Sequence, residues 1–195
     1  MRLAEVWLDD YKRHFDIRVP PSEQNQNFGD VTARKKLREN LKCHDFKWYL
    51  ENVFPEQHVP EDRPGYYGAI ENVKLKGNCL DVGTDNTGEP TVLLYGCHSM
   101  SSQFFEYTSK GEMRHNKVNE QCLEVNGNDV TSSACTTHEN VPKNGQTWMF
   151  VLGGVIASKL NGKCLEAVQQ ADGVYKAVLL RCDPQSKFQK WNFFK

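Results

Sequence analysis

Three stretches of this chain share one outline at a nearly constant spacing. The first opens with Cys79-Leu80-Asp81-Val82, passes through Leu93-Leu94-Tyr95-Gly96-Cys97-His98 and closes with Gln103-Phe104-Phe105. Cys122-Leu123-Glu124-Val125 leads to Cys135 and then Gln146-Thr147-Trp148. Cys164-Leu165-Glu166-Ala167 leads to Cys182 and then Gln189-Lys190-Trp191. The opening cysteines lie 43 and 42 residues apart, and each stands 26 or 27 residues before its closing aromatic. A fixed period of this length means one supersecondary unit made three times, each unit burying its apolar face against the others.

The content of the units is β. Short alternating runs, such as residues 91–95 and 174–180, are separated by the turn signals Lys76-Gly77-Asn78, Asn126-Gly127-Asn128 and Asn161-Gly162-Lys163. Each repeat has room for four strands. Propeller blades share that length, but three blades are too few to close a ring. The expectation for residues 66–195 is therefore a mainly β fold, a β-trefoil.

Six of the seven cysteines fall one pair per repeat, which reads as disulfides formed in an oxidising compartment. In the repeat register Cys79 pairs with Cys97, Cys122 with Cys135 and Cys164 with Cys182. Each closed loop contributes roughly 3 kcal/mol in the chain-entropy account. No Cys-x-x-Cys occurs, so a zinc framework is not the reading. Cys43 is left unpaired. The opening residues, Met1-Arg2-Leu3-Ala4-Glu5-Val6-Trp7, hold no apolar core of signal-peptide length. Together these two facts point to the C-terminal part of a longer secretory-pathway protein.

Upstream of the repeats the pattern is helical. Ala4, Trp7, Leu8, Tyr11 and Phe15 make the stripe of an amphipathic helix over residues 4–15. Residues 20–29 break it. Asp30 is the expected N-cap of a second helix with Val31, Leu37 and Leu41 on its apolar side and Arg34, Lys35, Lys36, Arg38 and Lys42 on the other, a solvated face or a patch for an acidic partner. Asp45 or His44 opens a third helix, in which Phe46, Tyr49, Leu50 and Val53 share a side. Three short helices make little core alone and are expected to dock on a partner domain. Pro55, Pro60, Pro64 and Gly65 then mark a stiff linker over residues 55–65, leaving 1–54 as the helical segment.

The net charge of −1 argues against nucleic acid as a partner, and no apolar run approaches the ~20 residues of a membrane-spanning helix.

The three Cys-Leu-(Asp/Glu) and Gln-x-(Trp/Phe) units resemble a ricin B-type lectin domain. Val6-Trp7-Leu8-Asp9-Asp10-Tyr11-Lys12 and Leu41-Lys42-Cys43-His44-Asp45-Phe46-Lys47-Trp48-Tyr49-Leu50-Glu51-Asn52-Val53-Phe54-Pro55 resemble the end of the catalytic domain of polypeptide N-acetylgalactosaminyltransferases. That family joins such a domain to a C-terminal lectin domain by a short linker, transfers GalNAc from UDP-GalNAc to Ser or Thr, and works in the Golgi lumen, anchored through an upstream segment. The resemblance implies GalNAc or GalNAc-bearing glycopeptides, and the missing catalytic domain, as partners. The family's Asp-x-His manganese motif does not occur in this sequence. The expectation is thus no cofactor in this chain, with manganese confined to the missing upstream region, and no glycosyl transfer by the chain alone.

By the same resemblance, a sugar site uses a carboxylate as acceptor, an aromatic ring under the apolar sugar face and an Asn for a third hydroxyl. Charge-assisted bonds make the carboxylate the strongest contact. In the first repeat Asp81 is the carboxylate, Tyr95 the ring and His98 a polar contact, while Ser102 stands in the Asn position with a shorter reach. The second and third repeats carry Glu124 and Glu166 instead of Asp, with Asn144 one place early in the second and no Asn in the third. Two functions compete: a lectin module holding glycopeptide near a catalytic domain, and a β-trefoil that has lost sugar affinity and serves as a structural or protein-interaction module.

Overall fold

The computed structural model describes every residue except 18, 20–22, 24–25, 62, 64, 86, 99, 116–119, 137–141 and 195. Pro20, Pro64 of the expected linker and Ser99 of the first repeat lie outside the described residues. The chain divides into two compact units, Met1–Val59 and Pro60–Lys195.

The first unit contains α1 (Arg2–Trp7), a 3-10 turn (Asp9–Tyr11), α2 (Lys12–Asp16), α3 (Thr32–Asn40) and α4 (Phe46–Asn52). The stripe over residues 4–15 predicts one helix, and the chain instead turns at Asp9, whose φ is 48°. The reason lies in what that turn lets the carboxylate reach. Asp9 accepts from both terminal nitrogens of Arg38, at 2.6 and 2.8 Å, and from the backbone N–H of Phe46 at 2.8 Å. Charged bonds of this kind outweigh the strain of one left-handed Asp. The hydrogen bonds from Arg38 hold the Asp9 carboxyl below the usual carboxylate range.

Asp45 caps α4 by accepting the Trp48 N–H at 2.7 Å. The second helix departs from expectation. Its cap is Val31, while the Asp30 carboxylate takes the N–H and hydroxyl of Thr32 one step outside. Leu37 and Leu41 of its expected apolar side are exposed.

Among the described residues the second unit has twelve strands: β1 (Tyr67–Asn72), β2 (Asn78–Thr84), β3 (Pro90–Gly96), β4 (Phe105–Tyr107), β5 (Met113–His115), β6 (Gln121–Asn126), β7 (Asp129–Ala134), β8 (Trp148–Phe150), β9 (Ile156–Ser158), β10 (Cys164–Gln169), β11 (Tyr175–Leu180) and β12 (Trp191–Phe194). Long hairpins β2–β3, β6–β7 and β10–β11 alternate with short barrel strands, four strands to a repeat. β1 pairs antiparallel with β12, so the first and last strands meet. β11 pairs with both β3 and β7, joining the three hairpins into a cap.

Register makes the threefold relation concrete. Glu71, Arg114 and Ala157 stand opposite Cys79, Cys122 and Cys164. One residue earlier on each of those strands, Ile70, Met113 and Ile156 are fully buried, and so are the partners Leu80, Leu123 and Leu165. The closing aromatics Phe105, Trp148 and Trp191 fill the same core. Trp148 and Trp191 donate their indole N–H to the carbonyls of Leu123 and Leu165, at 3.1 and 2.9 Å. Disulfides join Cys79 to Cys97, Cys122 to Cys135 and Cys164 to Cys182. Cys43 is a free thiol, exposed.

Residues from Pro60 onward belong with the strands. The carboxylate of Glu61 accepts from the backbone N–H and hydroxyl of Ser109, and its own N–H donates to Glu106 at 2.6 Å. Arg63 donates to the Tyr107 carbonyl at 2.9 Å and lies over the rings of Tyr66 and Tyr107. Charge, ring contact and backbone bonding therefore strap this segment to β4 and the turn after it.

Candidate functional site

In a hairpin, residues two apart share a face, and opposite residues are neighbours. Cys79 pairs with Tyr95 and Asp81 with Leu93, so Asp81 and Tyr95 occupy diagonal positions on one face of β2–β3. The other face, Leu80, Val82, Val92 and Leu94, is in the core. This alternation brings a carboxylate and an aromatic ring out together. Tyr95 is 49% exposed.

What holds the carboxylate is a glutamine. The side-chain amide of Gln103, itself fully buried, donates to Asp81 Oδ2 at 3.0 Å and to the Gly96 carbonyl at 3.1 Å, and its oxygen accepts the His98 N–H at 2.7 Å. The same three contacts recur. Gln146 bonds Glu124, the Ala134 carbonyl and the Thr136 N–H; Gln189 bonds Glu166, the Arg181 carbonyl and the Asp183 N–H. In each repeat the glutamine therefore clasps the residues on either side of the second cysteine and fixes the acid. The sequence gives a signal of this link that is easily passed over: acid and Gln recur together, 22, 22 and 23 residues apart.

The surroundings of the three acids differ. In the first repeat His98 Nε2 lies 3.2 Å from Asp81 Oδ2, and His98 Nδ1 accepts the Met100 N–H at 3.3 Å. Ser102 is half-buried in the 3-10 turn Ser101–Gln103. In the second repeat the position of Tyr95 is taken by Ser133, opposite Cys122, whose hydroxyl bonds Glu124. Gly145 lies over Glu124, so that a side chain there would meet its Cγ at 3.5 Å. In the third repeat the position of Tyr95 is Leu180, opposite Cys164, and the residue before the glutamine, Phe188, packs against the core. The structure thus gathers Asp81, Tyr95, His98 and Ser102 around one hairpin end, and among the described residues only this repeat presents an aromatic ring at the strand position beside its acid. The sequence alone did not indicate the direct His98–Asp81 contact, because it depends on how the loop after Cys97 folds back.

Two further charged groups sit away from this site. Arg114 is buried between Glu112 at 3.2 Å and Glu120 at 3.1 Å. In the turn of β2–β3, hydrogen bonds from Thr87 and from the Glu89 N–H hold the Asp85 carboxyl below its ordinary range. Among the described residues no cluster of three or more His, Cys, Asp or Glu is placed to hold a metal ion. Also among the described residues, no helix is long and apolar enough to cross a membrane.

Comparison with known proteins places the fold. The chain is 42% identical over 203 residues to polypeptide N-acetylgalactosaminyltransferase 4 of Mus musculus, matching 100% of this chain and 34% of that protein. It is 38% identical over 200 residues to polypeptide N-acetylgalactosaminyltransferase 6 of Mus musculus, matching 99% of this chain and 31% of that protein. It spans about a third of the length of these curated relatives. In fold it is similar to the crystal structure of GalNAc-T7 with UDP, GalNAc and Mn2+, with a TM-score of 0.69 at 24% identity over 99% of this chain and 35% of that one. The hemolytic lectin CEL-III is similar over 70% of this chain and 32% of that one, with a TM-score of 0.52 at 26% identity. Residues 66–191, nearly the whole strand-built unit, match the ricin-type beta-trefoil lectin domain, and to that family the chain belongs.

Proposed function

We propose that the strand-built unit is a carbohydrate-binding module that takes GalNAc, free or carried on a glycopeptide, at the first repeat. The observation that carries this reading is the pairing of Asp81 with the exposed ring of Tyr95 on one hairpin face. An ionised carboxylate accepts from sugar hydroxyls, and an aromatic ring covers the apolar face of a pyranose. Glu124, bonded by Ser133, and Glu166, beside Leu180, have no such ring among the described residues.

In the same reading residues 1–54 are the end of a glycosyltransferase catalytic domain, 55–65 the connection, and the parent protein a polypeptide GalNAc-transferase of mucin-type O-glycosylation in the Golgi lumen. Glycosyl transfer and its manganese belong to the remainder of that catalytic domain. A single sugar site of about millimolar affinity, roughly −4 kcal/mol, is weak alone. Tethered beside an active site, it raises the local concentration of an already glycosylated acceptor.

Isothermal titration of the full chain with GalNAc tests the proposal. Saturable binding in the millimolar range, abolished by Asp81→Ala, is the expected result. Absence of binding by the unaltered chain would favour the alternative, a β-trefoil acting as a structural or interaction module. The substitution of Ser102 at the Asn position and the internal bonding of Glu124 are the observations on that side.

A further inference from the structure

We infer that the disulfide Cys164–Cys182 is a redox latch on the third repeat. An external dithiol opens it through Cys182 while the other two disulfides stay closed, and residues 181–187 are released without unfolding of the β-trefoil.

Thiol–disulfide exchange begins with a thiolate reaching one of the two sulfurs, so access decides which bond opens. The inner cysteine of each pair, Cys79, Cys122 or Cys164, is fully buried and offers no approach. The outer cysteine differs from repeat to repeat. Cys135 is 9% exposed, Cys97 is half-buried and Cys182 is exposed. The chain that follows each accounts for the difference. Eleven positions separate Cys135 from Gln146, and this longer loop is closed on itself by the Lys143 N–H donating to Thr136 Oγ1 at 3.0 Å. Seven positions separate Cys182 from Gln189, and there the chain turns at once: the Ser186 N–H donates to the Asp183 carbonyl at 3.1 Å and the Gln185 N–H to the Asp183 carboxylate at 2.8 Å. The cysteine is left open to solvent. Arg181, also exposed, precedes it, and a cation beside a sulfur favours the approach of a thiolate.

The exchange needs nothing from the protein beyond the two sulfurs. One thiolate of the dithiol bonds to Cys182 Sγ, the Cys164–Cys182 bond breaks, and Cys164 leaves as a thiolate that takes a proton from water. The second thiolate of the dithiol then displaces Cys182, so that the dithiol is oxidised to a disulfide and the protein is reduced to two thiols. The freed Cys182 thiol has an acceptor in place, since its Sγ lies 3.3 Å from the Gly162 carbonyl.

A second fastening keeps the opened repeat folded. Gln189 donates to Glu166 at 2.6 Å and to the Arg181 carbonyl at 2.9 Å, and accepts the Asp183 N–H at 2.8 Å, so it spans the same hairpin end as the disulfide. Leu165 and Trp191, each next to this hardware, are fully buried. Reduction therefore exchanges a covalent hold on residues 181–187 for a reversible one.

The test uses the full chain with Cys43 first blocked by N-ethylmaleimide. A time course in dithiothreitol, quenched with iodoacetamide and read by peptide mass spectrometry, gives a rate for each pair. Cys164 and Cys182 are expected to be alkylated about 10-fold faster than Cys79 and Cys97, with Cys122 and Cys135 last. Glutathione, a monothiol, is expected to leave its mixed disulfide on Cys182. In the chain reduced at this pair alone, hydrogen exchange at the Asp183 amide should rise about 10-fold while near-ultraviolet circular dichroism holds. Equal rates for the three pairs, a mixed disulfide on Cys164, or loss of the near-ultraviolet signal with the first reduction would overturn the inference. Unchanged exchange at Asp183 would do so too, because the disulfide would then hold nothing that Gln189 does not.

Discussion

Trp191 donates its indole N–H to the carbonyl of Leu165 at 2.9 Å, inside a core where neither residue meets solvent. Trp148 does the same for Leu123, and Phe105, at the matching place in the first repeat, has no such donor. Trp191→Phe should therefore lower stability by about 1–3 kcal/mol, since it leaves a buried carbonyl short of its donor and opens space around the smaller ring. The denaturation midpoint of the full chain in guanidinium, at unchanged slope, measures it.

Gln103 and Gln146 make equivalent contacts in repeats of different predicted use. Alanine at either position strands a half-buried acid and two backbone groups, and each variant should lose about 2–4 kcal/mol of stability. Their sugar binding should diverge. Gln103→Ala weakens the response to GalNAc because Asp81 is released, whereas Gln146→Ala binds GalNAc as the unaltered chain does. Calorimetry at a temperature where both variants remain folded separates the two effects.

The helical unit should weaken in acid through Asp9. Its carboxyl is held below the ordinary value, first by the Arg38 hydrogen bonds and further by the Phe46 N–H. A depressed folded-state pKa gives stability that is present above the unfolded value of 3.8 and lost as pH falls through the lower folded value. Helical circular dichroism should fall across that window, and Asp9→Asn, which removes the titration, should flatten this limb while lowering helical stability at neutral pH.

Arg63 joins the segment after Pro60 to the β-trefoil through a carbonyl and two rings. Arg63→Ala should cost about 1–2 kcal/mol, and Arg63→Lys should recover only part of it, because an ammonium has no planar face to lay on Tyr66. Hydrogen exchange at the Tyr107 amide, which donates to the Tyr66 carbonyl at 2.9 Å, should quicken in the alanine variant.

Much of this architecture was legible because repetition amplifies weak signals. One Cys-Leu-acid string says little, but three at a constant period, each followed by Gln-x-aromatic, specify strand, hairpin and closing turn together. The helical segment had no such redundancy. Its stripe over residues 4–15 is real as a pattern, yet the backbone gives it up at Asp9 for an ion pair with Arg38, 29 residues away, which no local periodicity encodes. The candidate site divides in the same way. Asp81 and Tyr95 follow from strand alternation, which sequence carries. The contact of His98 with Asp81 follows from a loop that folds back on its own hairpin, and only coordinates carry that.

The pairing of β1 with β12 has a consequence for how the protein is made. Residues 69–72 emerge from the ribosome more than a hundred positions ahead of their partners at 191–194, and β3 and β7 likewise wait for β11. Each disulfide, by contrast, spans no more than 18 positions and lies within one hairpin. Oxidation can therefore proceed hairpin by hairpin during synthesis, while the barrel itself stays open until the final strand arrives. Each nascent repeat would be covalently locked before any of the three has its neighbours, a sequence of events in which local crosslinks hold the apolar faces ready for a closure that only the last residues can complete.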